Sequence, residues 1–411
     1  VANLFQVVDW ITMESLRTLL NRLVVAEFFN TDYNKEFTRE FAVGETVRVK
    51  NPQRFTIRDG IGYTPQPIAR NYTTVSCDQI FGVDFEWDSA EAALKAERGM
   101  DNIRREYIVP AMEQIAQEID SRAASWAYYN TNNIVGTLGT NATTTNIAGA
   151  ARQRLIENAC PPGEYRFIIS PGHMTSIVDG STTLFNDQAQ VSKAFKEGYY
   201  GRARQFDWFE SMSLYNHTAG TWGAHTTETS SANQSGNTLA LTATTSDVFN
   251  RGDVFNIEGI YNVNPKTRRS TGVLKQFVIT QDTTAAGSAA TINFIPAIIG
   301  PGSQYQNVSA LPGNGADLTL FPGTTTPSTG PKAGIQGLAL AKDAFALVGV
   351  KLETPKAVEV SSQTRDPKTG ISVRFVRMFD PIQSKMVNRF DVLLGFGNLY
   401  ADQCAVRILG A

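Results

Sequence analysis

The feature that most constrains this chain lies in its middle. From Asn216 to about Gly330, Thr, Ser, Gly, Asn and Pro crowd in and strand-like segments dominate, while mixed helix and strand patterns flank the stretch on both sides. The clearest segments are 239–243, 254–258, 273–280 and 291–295. Turn signals punctuate them at Arg251-Gly252-Asp253, Asn264-Pro265, Ala286-Gly287 and Pro312-Gly313. Short strands at this spacing predict a small β-barrel or sandwich. Because the pattern begins and ends inside the chain, the natural reading is a β domain inserted into an α+β protein.

The flanks carry their own periodicities. Residues 11–29 place Met13, Leu16, Leu20, Leu23 and Val24 at helical spacing, which predicts an amphipathic helix. Residues 46–50 and 54–58 each alternate as strands do, separated by Asn51-Pro52 and closed by Asp59-Gly60. They read as a two-stranded excursion with arginines on one face, which is marginal in water without something to lie on. The alternation returns at 77–87, and a helical run follows from Asp101 to about Tyr129 with Pro110 inside it, where it must kink the helix or displace its first turns. Residues 146–214 read as a compact α/β region: a helix at 147–158, a strand at 166–170, a helix after Pro171-Gly172 and another candidate at 191–199. After Gly330, strands are expected near 338–340, 345–350, 358–361, 372–379, 392–397 and 406–409, with Gly395 and Gly397 where backbones approach closely.

Composition narrows the function classes. In 411 residues, 42% are apolar and 18% charged, enough for folded cores. A net charge of −2 lacks the basic excess of a dedicated nucleic-acid binder, yet is compatible with lying near nucleic acid as the lining of a container does. The three cysteines, Cys77, Cys160 and Cys404, are odd in number and widely spaced, so a disulfide framework is not expected and a reducing compartment is. No eighteen-residue apolar run predicts a membrane span, and the sequence from Val1 lacks a signal-peptide pattern. The expectation is a soluble protein made inside a cell.

Catalytic chemistry finds little support. His173, His217 and His225 lie in no metal-ligand spacing, and there is no Cys-x-x-Cys, phosphate loop or nucleophile elbow. His173 reads as a helix-start or loop histidine, with general base as the competing role. His217 and His225 read as solvated. Asp84, Glu86 and Asp88 read as carboxylates on the wet face of a strand, with a cation site as the competing role. Cys160, before Pro161-Pro162-Gly163, has no basic neighbour to activate it. Arg48, Lys50, Arg54, Arg58 and Arg70 are candidates for contact with another protein surface, favoured over nucleic acid because stacking aromatics are sparse among them. No catalytic, cofactor or metal site is expected.

The order of parts resembles the major capsid proteins of tailed bacteriophages, within them the coat-protein branch with an inserted domain typified by the short-tailed Salmonella phage. The segment 251–260 (RGDVFNIEGI) carries the resemblance most specifically, with 261–267 (YNVNPKT), 272–281 (GVLKQFVITQ) and 338–347 (LALAKDAFAL). Residues 107–111 (YIVPA) are a weaker echo. The resemblance implies an N-terminal arm at 1–40, an extended loop at 41–75 and a peripheral domain with its spine helix at 76–130. It further implies an axial and peripheral region at 131–215, the inserted β-barrel at 216–330, and a return to the axial and peripheral domains at 331–411.

The function so implied is self-assembly into an icosahedral shell enclosing double-stranded DNA, with no enzymatic activity and no cofactor. Implied partners are other copies in hexamers and pentamers, a scaffolding protein, a portal protein at one vertex and the packaged DNA, but no membrane. The implied location is the virion, after assembly in the bacterial cytoplasm. Two departures stand out. The stretch 223–236 has Glu228 as its sole acidic residue where that branch carries a long charged loop, and 300–330 is long and rich in Gly and Pro. A Lys-Asn crosslink as in some relatives would pair Lys50 with Asn388 or Asn398, but no motif supports it. The competing readings are a carbohydrate- or surface-binding β-domain protein and a hydrolase centred near His173.

Overall fold

Pro110 sets the start of the longest helix among the described residues. In the computed structural model a π-helical turn, Arg104–Ile108, leads into an α-helix at Val109–Asn130. Proline therefore falls in the first turn, where its missing N–H has no intrahelical partner to lose. The expected displacement of the first turns is what occurs. The structure describes residues 2–33, 46–50, 53–55, 57–58, 60–63, 65–66, 68, 72–88, 104–181, 201–222, 227–245, 247–320, 333–355, 358, 360–382 and 385–410. The helix candidate at 191–199, His225 and Arg70 lie outside them.

The chain divides into two compact units, and the long helix passes from the first to the second at Ala123 and Ala124. The first unit comprises Val1–Lys50, Tyr72–Ala123 and Phe345–Leu399. Its sheet runs in the order Phe345–Gly349, Lys385–Asn398, Ser372–Asp380, Val360–Arg365, with Gln79–Asp88 also paired to Lys385–Asn398. A Cβ on Gly395 would meet the Ser76 carbonyl oxygen at 2.0 Å, and one on Gly397 would meet a Val75 methyl at 2.4 Å. The expected close approach is present, and glycine is what permits it.

The N-terminal helix differs from its expected form. It spans Ala2–Leu20 and is followed by a 3-10 turn at Ala26–Phe28. Within residues 11–20 the buried positions are Thr12, Ser15, Leu16 and Leu19, while Met13 is 62% exposed. The reason is polar: Thr12 Oγ1 lies 3.0 Å from Thr364 Oγ1 and 3.3 Å from Ser362 Oγ, and Ser15 Oγ donates to Ile11 O. Burial of satisfied hydroxyls shifts the inward face by a third of a turn. Beyond the helix, the Asp120 carboxylate accepts the N–H groups of Val24, Val25 and Ala26 at 2.8, 3.1 and 2.9 Å. Burial raises its pKa to about 6 in spite of these donors.

Strand Thr46–Lys50 pairs antiparallel with Tyr72–Ser76, Thr46 opposite Ser76 and Lys50 opposite Tyr72. The second strand expected at 54–58 is not formed: residues 54, 55, 57 and 58 are irregular. Its alternation is genuine, but the partner that the register selects lies further along the chain.

The second unit comprises Asn51–Asn71, Ala124–Ala344 and Tyr400–Ala411 and holds two main sheets. One runs in the order Ile134–Gly136, Ala405–Leu409, Ala333–Ala341, Tyr165–Ile169, Phe206–Glu210, Arg202–Ala203, with Asn216–Thr218 paired to Ala333–Ala341. Helices Asn146–Glu157 and Pro171–Ser181 bury Ala148, Ala151, Leu155, Met174 and Ile177 against its Phe167, Trp208 and Ile408.

The other sheet lies wholly within 228–320, in the order Leu318–Leu320, Val254–Val263, Ser270–Ile279, Ala289–Ile298, Gly236–Thr242, Glu228–Thr229. Its first and last strands meet again. Glu228 bridges Asp317, Thr229 N donates to Ala316 O at 3.0 Å, and Leu318 N to Thr227 O at 2.9 Å. The sheet is thus nearly closed into a barrel around Phe255, Phe277 and Phe294, whose ring centroids lie 5.3 to 5.7 Å apart. Each of these buried rings contributes roughly 2–3 kcal/mol.

Candidate functional site

The second unit carries two features, one polar and buried, the other apolar and exposed. The first is a buried junction between the barrel-like sheet and the other sheet, centred on Arg251-Gly252-Asp253. Gly252 has φ +95°, and a Cβ there would meet the Tyr128 hydroxyl oxygen at 2.3 Å. No other residue fits that combination of conformation and contact. Gly252 O accepts Nη2 of Arg407 at 2.9 Å, and that guanidinium, 1% exposed, lies 4.5 Å from the Tyr128 ring centroid. Desolvation lowers the pKa of Arg407 and raises that of Tyr128. Arg251 stacks its guanidinium 3.9 Å from the Tyr129 ring centroid.

Asp253 completes the turn. Its carboxylate bonds His217 Nε2 at 2.8 Å and accepts the N–H groups of Gly220 and Asn250 at 3.0 and 2.9 Å. His217 is 6% exposed, so the solvated histidine expected at this position is corrected. Its polar sequence neighbours concealed a partner 36 residues further on.

Amides extend the junction. Gln276 imitates a strand edge: Oε1 accepts Ile134 N–H at 2.9 Å and Nε2 donates to Ile134 O at 3.3 Å. Asn132 Nδ2 donates to Gln276 O at 2.8 Å. A relay of asparagines continues it: Asn262 Nδ2 donates to Asn158 Oδ1 at 2.8 Å, and Asn158 Nδ2 to Asn133 Oδ1 at 3.2 Å. Asn133 Nδ2 then reaches Asp402 O at 2.8 Å and Ala405 O at 3.2 Å. These buried amide bonds favour one arrangement of the two sheets, since a shift would break several of them at once.

The second feature is the segment 53–68. Phe55, Ile57, Ile61, Tyr63 and Ile68 are 64, 93, 99, 88 and 74% exposed. Of the candidate basic residues, Arg48 and Lys50 are exposed on strand Thr46–Lys50 beside buried Val49. Arg54 is half-buried, its carbonyl accepting Gln304 Nε2 and its guanidinium 5.8 Å from the Tyr305 ring centroid. Arg58 folds back on its own loop, Nη1 donating to Ile61 O at 2.7 Å and to Gly62 O.

His173, third in its helix, is 1% exposed, and its Nε2 accepts Ala142 N–H at 3.0 Å. Burial lowers its pKa to about 4. The lone pair that a general base would use is therefore occupied. Asp84 and Glu86 are exposed and face basic partners across the sheet, Asp84 with Arg389 at 3.6 Å and Glu86 with Lys385. No group of three or more His, Cys, Asp or Glu suited to a metal ion occurs among the described residues, nor any helix long and apolar enough to cross a membrane.

A chain whose polar residues lock sheets together, and whose apolar residues stand out on a loop, belongs to the class of structural assembly proteins. The comparisons define it further. The sequence matches the model of the P22 coat protein family (P22 coat protein, gene protein 5) over residues 83–410, and the chain belongs to that family. It is a major capsid protein of a tailed phage, with the mixed α/β fold of phage capsid proteins.

Similar solved structures include one from Mycobacterium phage Che8, 12% identical, covering 95% of this chain and 92% of that one with a TM-score of 0.48. The capsid of cyanophage P-SCSP1u is 13% identical over 91% of this chain and 85% of that one, TM-score 0.43. The mature capsid of bacteriophage PhiM1 is 10% identical over 93% and 88%, TM-score 0.41. No curated protein sequence matches this one significantly.

Proposed function

We propose that copies of this chain, as hexamers and pentamers, close into the icosahedral shell around the double-stranded DNA of a tailed bacteriophage, without catalysing a reaction. The observation that carries this reading is the exposed apolar row Phe55, Ile57, Ile61, Tyr63 and Ile68. Five large apolar side chains on one irregular segment are costly to leave in water and suit burial against a neighbouring copy. Arg48, Lys50, Arg54, Arg58 and Arg70 lie near that row in sequence and serve, in this reading, as further contacts to the neighbouring copy. In this reading residues 1–40 are the N-terminal arm, 41–75 the extended loop, 76–130 the peripheral domain with its spine helix, and 131–215 with 331–411 the axial and peripheral regions. Residues 216–330 are the insert.

Assembly takes place in the bacterial cytoplasm with a scaffolding protein, and a portal protein occupies one vertex. The DNA-facing surface is near neutral or weakly negative, in keeping with a net charge of −2 and contact without sequence specificity. The test is negative-stain microscopy of the chain expressed with and without its scaffolding protein, beside a variant carrying Ile57→Ser, Ile61→Ser and Ile68→Ser. Closed shells from the parent are expected. The variant is expected to fold with an unchanged denaturation midpoint, because those side chains touch little in the subunit, and to give no closed shells. A discrete monomer from the parent under every condition, or normal shells from the variant, refutes the reading.

A further inference from the structure

The structure brings together two cysteines that lie far apart in sequence. Cys160 Sγ and Cys404 Sγ, 244 residues apart in the chain, are 2.7 Å from each other, with both thiols free. A disulfide bond is about 2.05 Å long, so the pair sits within a small side-chain rotation of bonding. Sequence reading expected no disulfide, and an odd cysteine count gave no hint of this proximity.

Local structure holds both sulfurs in place. Helix Asn146–Glu157 ends in a Schellman arrangement, with Cys160 N donating to Leu155 O and Ala159 N to Ile156 O, both at 2.9 Å. Ala159 occupies the left-handed position at φ 56°, where glycine is usual. That strained turn aims Cys160 inward. Cys404 ends the short helix Ala401–Cys404, its N–H bonded to Tyr400 O at 2.8 Å, immediately before strand Ala405–Leu409. The asparagine relay runs beside the pair: Asn158 precedes the turn, and Asn133 grips the carbonyls of Asp402 and Ala405. Both backbones are therefore fixed independently of the sulfurs.

We propose that Cys160 and Cys404 are a redox pair that closes to an intrachain disulfide when a small-molecule disulfide oxidant reaches it, stapling the C-terminal strand to the end of helix Asn146–Glu157. The accessible member acts first, since Cys160 is half-buried whereas Cys404 is 0% exposed. The Cys160 thiol loses its proton to water, and the thiolate attacks one sulfur of oxidised glutathione, releasing one glutathione thiolate and leaving a mixed disulfide. Cys404 then attacks Cys160 Sγ, and its proton passes to the second glutathione as that thiolate is expelled. One S–S bond has been exchanged for another, with two protein thiols oxidised and one glutathione disulfide reduced to two thiols. The hydrogen bond with Cys160 and then burial raise the Cys404 pKa strongly, in keeping with its acting second. Cys77 is buried elsewhere, its thiol pushed up to about 12 chiefly by burial, and serves as an internal control.

The inference concerns the subunit and does not depend on shell formation. The test incubates the purified full chain at low concentration with oxidised glutathione, alkylates the remaining thiols and maps peptides by mass spectrometry without reduction. Expected are a Cys160–Cys404 linked peptide two mass units lighter than its parts, Cys77 alkylated, and a thermal midpoint raised on the order of 5 °C over the reduced protein. Cys160→Ser should abolish the link and the shift, whereas Cys77→Ser should keep both. Since Cys160 is half-buried, its variant is the one suited to fold; if Cys404→Ser does not, peptide mapping of the parent still decides. Alkylation of all three cysteines after oxidation, glutathione retained on Cys160, or a link found only between chains overturns the proposal.

Discussion

Replacing Gln276 by Leu removes the side chain that joins the barrel-like sheet to the strand Ile134–Gly136. Gln276 and Ile134 are each 2% exposed, so water cannot take over either bond. The substitution orphans the Ile134 N–H, bonded at 2.9 Å, and takes a weaker donor, at 3.3 Å, from its carbonyl. An orphaned buried donor costs about 1–3 kcal/mol and the weaker bond about 1 kcal/mol, partly offset by the apolar area that leucine buries. A net loss of about 2 kcal/mol corresponds to a ~30-fold rise in local opening. Hydrogen exchange read by mass spectrometry on peptides covering 131–138 should show that acceleration, while peptides from the first unit keep their parent rates. Gln276→Glu sharpens the test. A protonated glutamic acid can accept from N–H and donate to C=O as glutamine does, so this variant should approach the parent in acid and loosen as pH rises and a carboxylate faces the carbonyl. Unchanged exchange at 131–138 in Gln276→Leu, or a Gln276→Glu variant indifferent to pH, would show that the two bonds do not hold the sheets together.

Gly252→Ala should be among the most damaging single changes, about 3 kcal/mol or more by denaturant titration, since it combines φ +95° with a 2.3 Å collision against Tyr128; a loss below ~1 kcal/mol would mean that the turn can relax freely. His173 predicts a pH dependence of definite sign. Its folded pKa, about 4, lies below its ordinary value of 6.5, so the unfolded chain binds the extra proton, and the contribution is complete above pH 6.5 and lost as pH falls toward 4. The loss should approach ~3 kcal/mol and be absent from His173→Gln, which can still accept the Ala142 N–H. Asp120 has the opposite sign, its raised pKa giving stability that falls as pH rises from 3.8 to 6, so the comparison of parent with His173→Gln isolates the histidine.

Much of the fold was legible because strands and glycines leave local marks. The four strands expected between 239 and 295 all form, each longer than its apolar core suggested, as Gly236–Thr242, Val254–Val263, Ser270–Ile279 and Ala289–Ile298. Gly395 and Gly397 were readable because a glycine in an apolar strand has few reasons to be there other than a neighbour too close for Cβ. The failures share one physical origin. Residues 54–58 alternate correctly, but a strand needs a partner, and pairing is decided by register with 72–76. The inward face of the N-terminal helix was misassigned because hydropathy scores Thr12 and Ser15 as polar, whereas their hydroxyls are satisfied on burial.

The junction is the extreme case of that failure. Asn132, Asn133, Asn158, Asn262 and Gln276 look in sequence like surface residues, and His217 sits among polar neighbours. Each is buried because its partner comes from another segment, in the case of Gln276 and Ile134 142 residues away. Composition cannot separate an amide that faces water from one that replaces a strand edge, since both satisfy the same two groups. What separates them is pairing across distance, and the asparagine relay and the Cys160–Cys404 contact follow from the same few pairings. A chain built to be repeated in a shell gains from this arrangement. Interior polar bonds fix how the two sheets of the second unit meet, so that order does not depend on the exposed apolar segment 53–68.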